Sequence, residues 1–242
     1  MKITKAAILA LCVCAAPQIA AAQTMQWTDK GYVSVNGGAQ AGSHDLSESG
    51  SFPLYDETAT FSSTAKVKGG GMFDIGGAYR VWGNNVLAGV TFTHVSSKSD
   101  GSLTGSVPDP IRTDAPRAVA STFAGLRHSE NAVHIDAIYM LPIANKMDLG
   151  ISAGPTIFSV KQDTIPALTV TEPGPSVTTA AVSSSKTTVG FNAGIDFQYM
   201  LRKKYGVGAV ARYAVGSVSL PGASKKLTVG GFQIGVGGRY RF

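Results

Sequence analysis

From Gly31 onward the chain repeatedly alternates apolar and polar residues, and this period of two constrains its fold more than any other feature. The clearest case is the terminal GGFQIGVGGRYRF, residues 230–242. Phe232, Ile234, Val236, Gly238, Tyr240 and Phe242 share one face, and Gln233, Gly235, Gly237, Arg239 and Arg241 share the other. Successive side chains point to opposite sides of a β-strand, so each such segment is a strand with one apolar face. Eight segments follow this rule: residues 31–40, 71–82, 86–96, 131–141, 146–160, 188–201, 205–217 and 227–242. Each exceeds the roughly 9–11 residues with which a tilted strand crosses a bilayer.

The connections fall into two alternating classes. Residues 83–85, 142–145 and 202–204 form tight turns, whereas 41–70, 97–130 and 161–187 are long polar connections, followed by a shorter one at 220–226. Short turns on one rim and long loops on the other describe an all-β, eight-stranded, antiparallel, up-and-down transmembrane β-barrel. An even strand count puts both mature termini on the short-turn rim, expected to be periplasmic. The face bearing Phe73, Ile75, Tyr79, Val90, Phe92, Ile135, Ile151, Phe191, Ile195, Val207 and Tyr213 is expected to meet lipid. Tyrosines and phenylalanines cluster near the strand ends, where two aromatic belts would lie at headgroup level. Trp82 is off parity and has no assigned face.

The first residues fit this destination. Residues 1–22 have a basic head at Lys2 and Lys5, an apolar run and an Ala20-Ala21-Ala22 end, which reads as a secretory signal peptide. A short periplasmic segment, 23–30, then precedes a barrel domain spanning 31–242. Both cysteines, Cys12 and Cys14, lie inside the signal, so the mature chain holds no disulfide. The formal charge of +6 falls to +4 without Lys2 and Lys5, too little and too dispersed to suggest nucleic acid. No run of about 18 apolar residues offers a transmembrane helix after the signal.

These residues resemble the small outer-membrane β-barrel domain family of OmpA-, OmpX- and OmpW-like barrels. The resemblance rests on the signal, Gly76-Gly77-Ala78-Tyr79-Arg80, Gly154-Pro155-Thr156, Gly206-Val207-Gly208 with Arg212-Tyr213, and the terminal strand. It implies location in the cell outer membrane and contact with outer-membrane lipid and lipopolysaccharide. It also implies that Tyr240 and Phe242 signal to the barrel-assembly machinery. The family shares no single activity.

An eight-stranded barrel is just wide enough to be filled by its own side chains. The inward face would carry Asp74, Arg80, His134, Asp136, Asp196, Arg212, Arg239 and Arg241, a nearly balanced lumen charge network. The structural reading is mutual pairing in a plugged interior; the alternative is a narrow channel for ions or small solutes. His134 and Asp136 share a face two residues apart but lack the further ligands zinc requires, so a hydrogen-bonded pair is expected. No nucleotide, metal or other cofactor motif appears.

One triplet suggests catalysis. His94 and Ser96 share a face at the outer rim, where the imidazole could serve as base for the hydroxyl. The pair resembles the lipid-facing His-x-Ser of outer-membrane lipid A deacylases, although Ser97 stands where that family commonly has Asn. Asp100 and Glu130 are nearby candidates for an orienting acid. The principal expectation is a non-enzymatic envelope or surface-interaction protein that presents long loops to an unidentified extracellular ligand.

Overall fold

The computed structural model describes residues 27–165, 168–172, 175–219 and 226–242, so the expected signal peptide lies outside the described residues. Eight strands close on themselves: β1 (Gly31–Ala41), β4 (Gly71–Trp82), β5 (Val86–Val107), β6 (Arg117–Ala144), β7 (Met147–Thr164), β10 (Val182–Met200), β11 (Tyr205–Val218) and β12 (Leu227–Arg241). Every neighbouring pair is antiparallel, and the β1–β12 ladder, from Tyr32↔Arg241 to Ala41↔Phe232, seals the ring. The eight segments read from alternation are these eight strands.

The long connections are more ordered than their polarity suggests. β5 has 22 residues and β6 has 28, well beyond a bilayer crossing, and they remain paired from Val86↔Tyr139 to Val107↔Arg117. The first connection contains β2 (Ser43–Leu54) and β3 (Glu57–Lys68), a hairpin that adds to β5 through Thr60↔Ser106 to Ala65↔Gly101. Its turn places Tyr55 and Asp56 at φ of 53° and 60°, a left-handed pair that matches the twist of a two-residue hairpin. The third connection holds a smaller hairpin, β8 (Leu168–Thr171) with β9 (Ser176–Thr179). Serine, threonine and glycine dominate these extensions, so their faces differ little in hydropathy, although their backbones keep the ladder.

Outward residues in the middle of the ring are apolar and exposed, including Phe73, Ile75, Val90, Ile135, Ile151, Phe191, Ile195 and Val236. Trp82 loses strand parity because the β4–β5 register shifts between Arg80 and Trp82; this bulge leaves both Val81 and Trp82 facing outward, the latter 79% exposed.

The interior alternates between apolar and polar layers. At the short-turn end Trp27, Tyr32, Ala78, Leu87, Ile138 and Met140 form one apolar layer. Trp27 precedes the first strand, and its ring enters the lumen to meet Tyr32 edge-on and the Arg241 guanidinium at 4.3 Å. Farther up, Leu46, Val67, Ala132, Phe158, Val160, Ala214, Val218, Leu227 and Val229 form a second layer. Above it, Phe61, Ala65, Leu103, Leu126 and Ile165, then Ala59, Val107 and Val119, fill the interior of the strand extensions. The long-strand end is therefore a folded cap with its own core.

Phe158 anchors the second layer. It is fully buried, meets His134 edge-on at 6.5 Å, and sits where side chains at Gly190, Gly216 or Gly230 would intrude. Small residues on three strands thus make room for one large ring. Phe158→Ala is expected to lower unfolding free energy by about 3–5 kcal/mol, the usual cost of emptying such a site. Urea unfolding of the refolded barrel in lipid vesicles checks this, and a loss below about 1 kcal/mol would contradict the packing argument.

Candidate functional site

Two regions could carry function: the polar lumen and the outward-facing notch around His94. In the lumen, strand parity aims charged side chains inward from several strands. Arg212 and Asp74 are 4% and 2% exposed and form a direct ion pair. Asp74 also accepts from Asn36 Nδ2 at 2.8 Å and from Thr93 Oγ1 at 3.1 Å. Arg239 grips both carboxylate oxygens of Asp196 at 2.5 and 3.2 Å, and donates to Asn36 Oδ1 at 2.6 Å. Asn36 therefore joins the two ion pairs, donating to one and accepting from the other.

The string continues in both directions. Toward the short-turn end, Gln198 donates to Asp196 at 2.8 Å and accepts from Arg241 at 2.7 Å, while Arg241 also pairs with Asp148 at 2.6 Å. Toward the cap, Arg212 Nε donates to Gln233, Gln233 to Gln40, and Gln40 to Glu130, at 2.8, 2.8 and 3.1 Å. Glu130 also accepts from Gly230 N at 3.0 Å and faces His128 Nε2 at 2.8 Å, while His128 Nδ1 faces Gln162 at 2.6 Å. One hydrogen-bonded string thus runs through most of the lumen. A small cavity of about 40 Å³ lies between Tyr32, Asp74, Asp136, Asp196, Arg212 and Arg239, and a wider one of about 630 Å³ opens at the short-turn end beside Trp27, Asp29, Asp148 and Arg241.

The structure separates some residues that the sequence groups. Arg80 stands apart from the ion pairs and donates to the Trp27 carbonyl at 3.2 Å. His134 does not pair with Asp136 as expected. Its Nδ1 lies 2.8 Å from Thr156 Oγ1, its cross-strand neighbour on β7, and its Nε2 3.1 Å from Thr93 Oγ1, one pleat farther along β5. Asp136 accepts from Asn192 Nδ2 at 2.9 Å. Asp148, Gln198, Asn36, Gln40 and Glu130 also belong to the string; none of them is in the lumen charge network read from the sequence, and Glu130 is missed because its segment looks like a loop. Tyr240 and Phe242 face outward, with ring centroids 6.4 Å apart, and the Phe242 carbonyl accepts from Lys30 N at 2.7 Å.

At the long-strand end of the apolar band His94 and Ser96 face outward, since Thr93 and Val95 occupy the lumen side. His94 Nδ1 lies 2.8 Å from Asn131 Oδ1, its cross-strand neighbour on β6. Asn131 therefore holds the ring where the sequence suggested an acid. Glu130 points into the lumen, and Asp100 accepts from Gly125 N. Among the described residues no hydrogen bond joins His94 to Ser96.

The cap is fastened by ions. Arg117 donates to Glu172 at 2.5 and 3.1 Å, bringing β6 to the β8–β9 connection, and its hydrogen bond holds the Glu172 carboxyl below the usual range. Glu48, inside the cap, accepts from Ile165 N at 2.9 Å; burial pushes its carboxyl upward despite that bond. Among the described residues, no group of three or more His, Cys, Asp or Glu side chains is arranged to hold a metal ion.

A closed antiparallel ring, apolar outside and charged within, is a membrane-spanning β-barrel. The chain belongs to the outer membrane protein beta-barrel domain family, whose sequence profile matches residues 6–242, and this places it in the cell outer membrane. No curated protein matches it in sequence. Among solved structures it is similar to Neisserial surface protein A at 15% identity, covering 88% of this chain and 97% of that one, with a TM-score of 0.45. It is similar to Ail of Yersinia pestis at 11% identity, covering 87% and 99%, with a TM-score of 0.38. The outer membrane protease OmpT of Escherichia coli gives 10% identity, 91% and 100% coverage and a TM-score of 0.43.

Removing one member of the Arg212–Asp74 pair leaves a buried charge uncompensated. Arg212→Met alone is expected to cost about 3–5 kcal/mol, whereas Arg212→Met with Asp74→Leu should recover a substantial part of that loss. A double-mutant cycle on vesicle-embedded protein measures the coupling, and additive losses would show that the pair acts independently.

Proposed function

We propose that this protein is a non-enzymatic envelope protein whose plugged barrel holds a rigid surface platform outside the cell. The carrying observation is the folded cap: β5 and β6 remain paired far above the apolar band, the β2–β3 hairpin joins them, and apolar clusters fill the interior. A flexible loop would need none of these. The cap presents an exposed tip at 109–114, where Ile111 is 91% exposed and Asp109 accepts from the Ile111 and Arg112 amides. An ordered tip meets a partner at lower entropic cost than a disordered segment. In this reading the short turns and both mature termini are periplasmic, and Tyr240 and Phe242 address the assembly machinery.

Conduction has less support, because the string of side chains and the apolar layers fill the lumen. An epitope placed at 109–114 is expected to be labelled on intact cells, and one at 202–204 only after the outer membrane is permeabilised. The purified barrel should give no stable single-channel steps in planar bilayers. Reversed labelling or reproducible conductance would overturn the reading.

A second reading is favoured by one observation, the bond from His94 to Asn131. An asparagine that fixes Nδ1 leaves Nε2 directed outward as a base, the role asparagine plays in Cys-His-Asn hydrolases. The bond to be broken would then be an acyl ester of an outer-leaflet lipid, with Ser96 as nucleophile. Incubation with purified lipid A tests this: released fatty acid that disappears in Ser96→Ala would support it, and equal release by both proteins would exclude it.

A further inference from the structure

A row of cations lies on the outward face of the barrel, directly above the apolar band, and only Arg127 among them has an ion pair among the described residues. Strand parity settles its orientation. On β5, Phe92, His94, Ser96 and Lys98 alternate with the buried Thr93, Val95 and Ser99. On β6, Arg127 and Ser129 alternate with the buried Leu126, His128 and Glu130. On β7, Lys161 stands one pleat above exposed Ser159, and on β3, Lys68 alternates with the buried Val67. The ladders bring these positions together: Lys98 is directly opposite Arg127, and Lys161 is opposite Ser129. Ser97 Oγ donates to the Lys68 carbonyl at 2.7 Å, fixing β3 beside β5.

Directly opposed like charges destabilise a β-ladder unless an anion lies between them. Acidic neighbours account for only part of this charge. Asp163 takes Arg127 at 3.2 Å, Asp45 stands across from Lys66, and exposed Asp100, two residues beyond Lys98, accepts from Gly125 N. Among the described residues Lys68, Lys98 and Lys161 have no ion pair. Immediately below come the hydroxyls of Ser96 and Ser129, then Phe73, Phe92 and Ile157 in the exposed apolar band. Gly71, opposite Ser96, leaves open space there. A phosphate beside the cations would thus have acyl chains against apolar side chains. The four strands span roughly 14 Å at the spacing of adjacent strands, a breadth suited to a headgroup with two separated phosphates.

We propose that Lys68, Lys98, Arg127 and Lys161 form a binding site for the bisphosphorylated lipid A portion of lipopolysaccharide. The site names a lipid partner for the surface protein proposed above and relies on the same orientation in cells, but its binding can be measured without that orientation. Guanidinium and ammonium groups donate charge-assisted hydrogen bonds to the phosphates, and the apolar band receives the chains. The rigid ladder keeps the cations in place before the lipid arrives.

Native mass spectrometry of the full barrel in neutral detergent supplies the test, with diphosphoryl lipid A, monophosphoryl lipid A and phosphatidylglycerol as probes. Diphosphoryl lipid A should bind at least tenfold more tightly than phosphatidylglycerol, with monophosphoryl lipid A between them. Lys68→Gln, Lys98→Gln and Lys161→Gln combined should reduce diphosphoryl binding about tenfold, while the heat-dependent gel shift of the folded barrel persists. Arg202→Gln, Lys203→Gln and Lys204→Gln at the opposite rim should leave it unchanged. Equal retention of all three lipids, full binding by the first variant, or equal loss in both variants would overturn the site. Because detergent has no inside or outside, a wrong orientation would appear in the epitope experiment alone.

Discussion

Backbone amides inside a hydrocarbon layer have no water to bond, and the ladder between β1 and β12 is where this chain meets that constraint last. Seven of the ring's eight seams join strands that follow one another in the ring along the chain; this one joins its first and last. Once closed, the sheet has no edge at membrane depth, and the two faces become two solvents. Phe232, Ile234 and Val236 then belong to lipid, while Gln233 and Arg239 belong to a buried interior. The need to satisfy those inward polar groups follows from closure.

The lumen meets that need by sharing. Asn36 serves two ion pairs, Gln198 links a carboxylate to a guanidinium, and Thr93 contacts Asp74, Arg212 and His134. Neutral amides and hydroxyls spread the charge along a string, so few polar groups are left unpaired in a low-dielectric interior. Apolar layers lie along the same lumen, one around Trp27 and Met140 and one around Phe158. The cap extends the same architecture past the membrane, with the Arg117–Glu172 pair tying its elements together.

The ring was legible because alternation between apolar and charged residues has high contrast, as in the terminal strand and in residues 131–141. Sequences such as SKSDGSLTGSV, residues 97–107, have little contrast between faces, so a paired strand there resembles a loop. That ambiguity also hid Glu130, whose inward direction follows from a strand continuing past Asn131. Parity alone could not reveal the apolar lumen layers. Phe158, Leu87 and Met140 look lipid-directed by chemistry and inward-directed by register, and only neighbouring strands decide between them. Trp27 carries no periodic signal because it precedes the first strand. At the His94 site, the triplet was visible but its partner Asn131, distant in sequence, was not.

The hydrogen-bonded string through the lumen also bears on assembly. Its members come from β1, β4, β6, β7, β10, β11 and β12, and each needs a partner at one particular height. Sliding a strand by two residues would keep its apolar side chains facing lipid and most of its backbone amides paired, so the apolar alternation alone could not distinguish that register from the native one. The string could: such a slip would separate Arg239 from Asp196 or Gln233 from Gln40. The interior thus acts as a checksum on strand register, detecting the errors to which the lipid-facing pattern is blind.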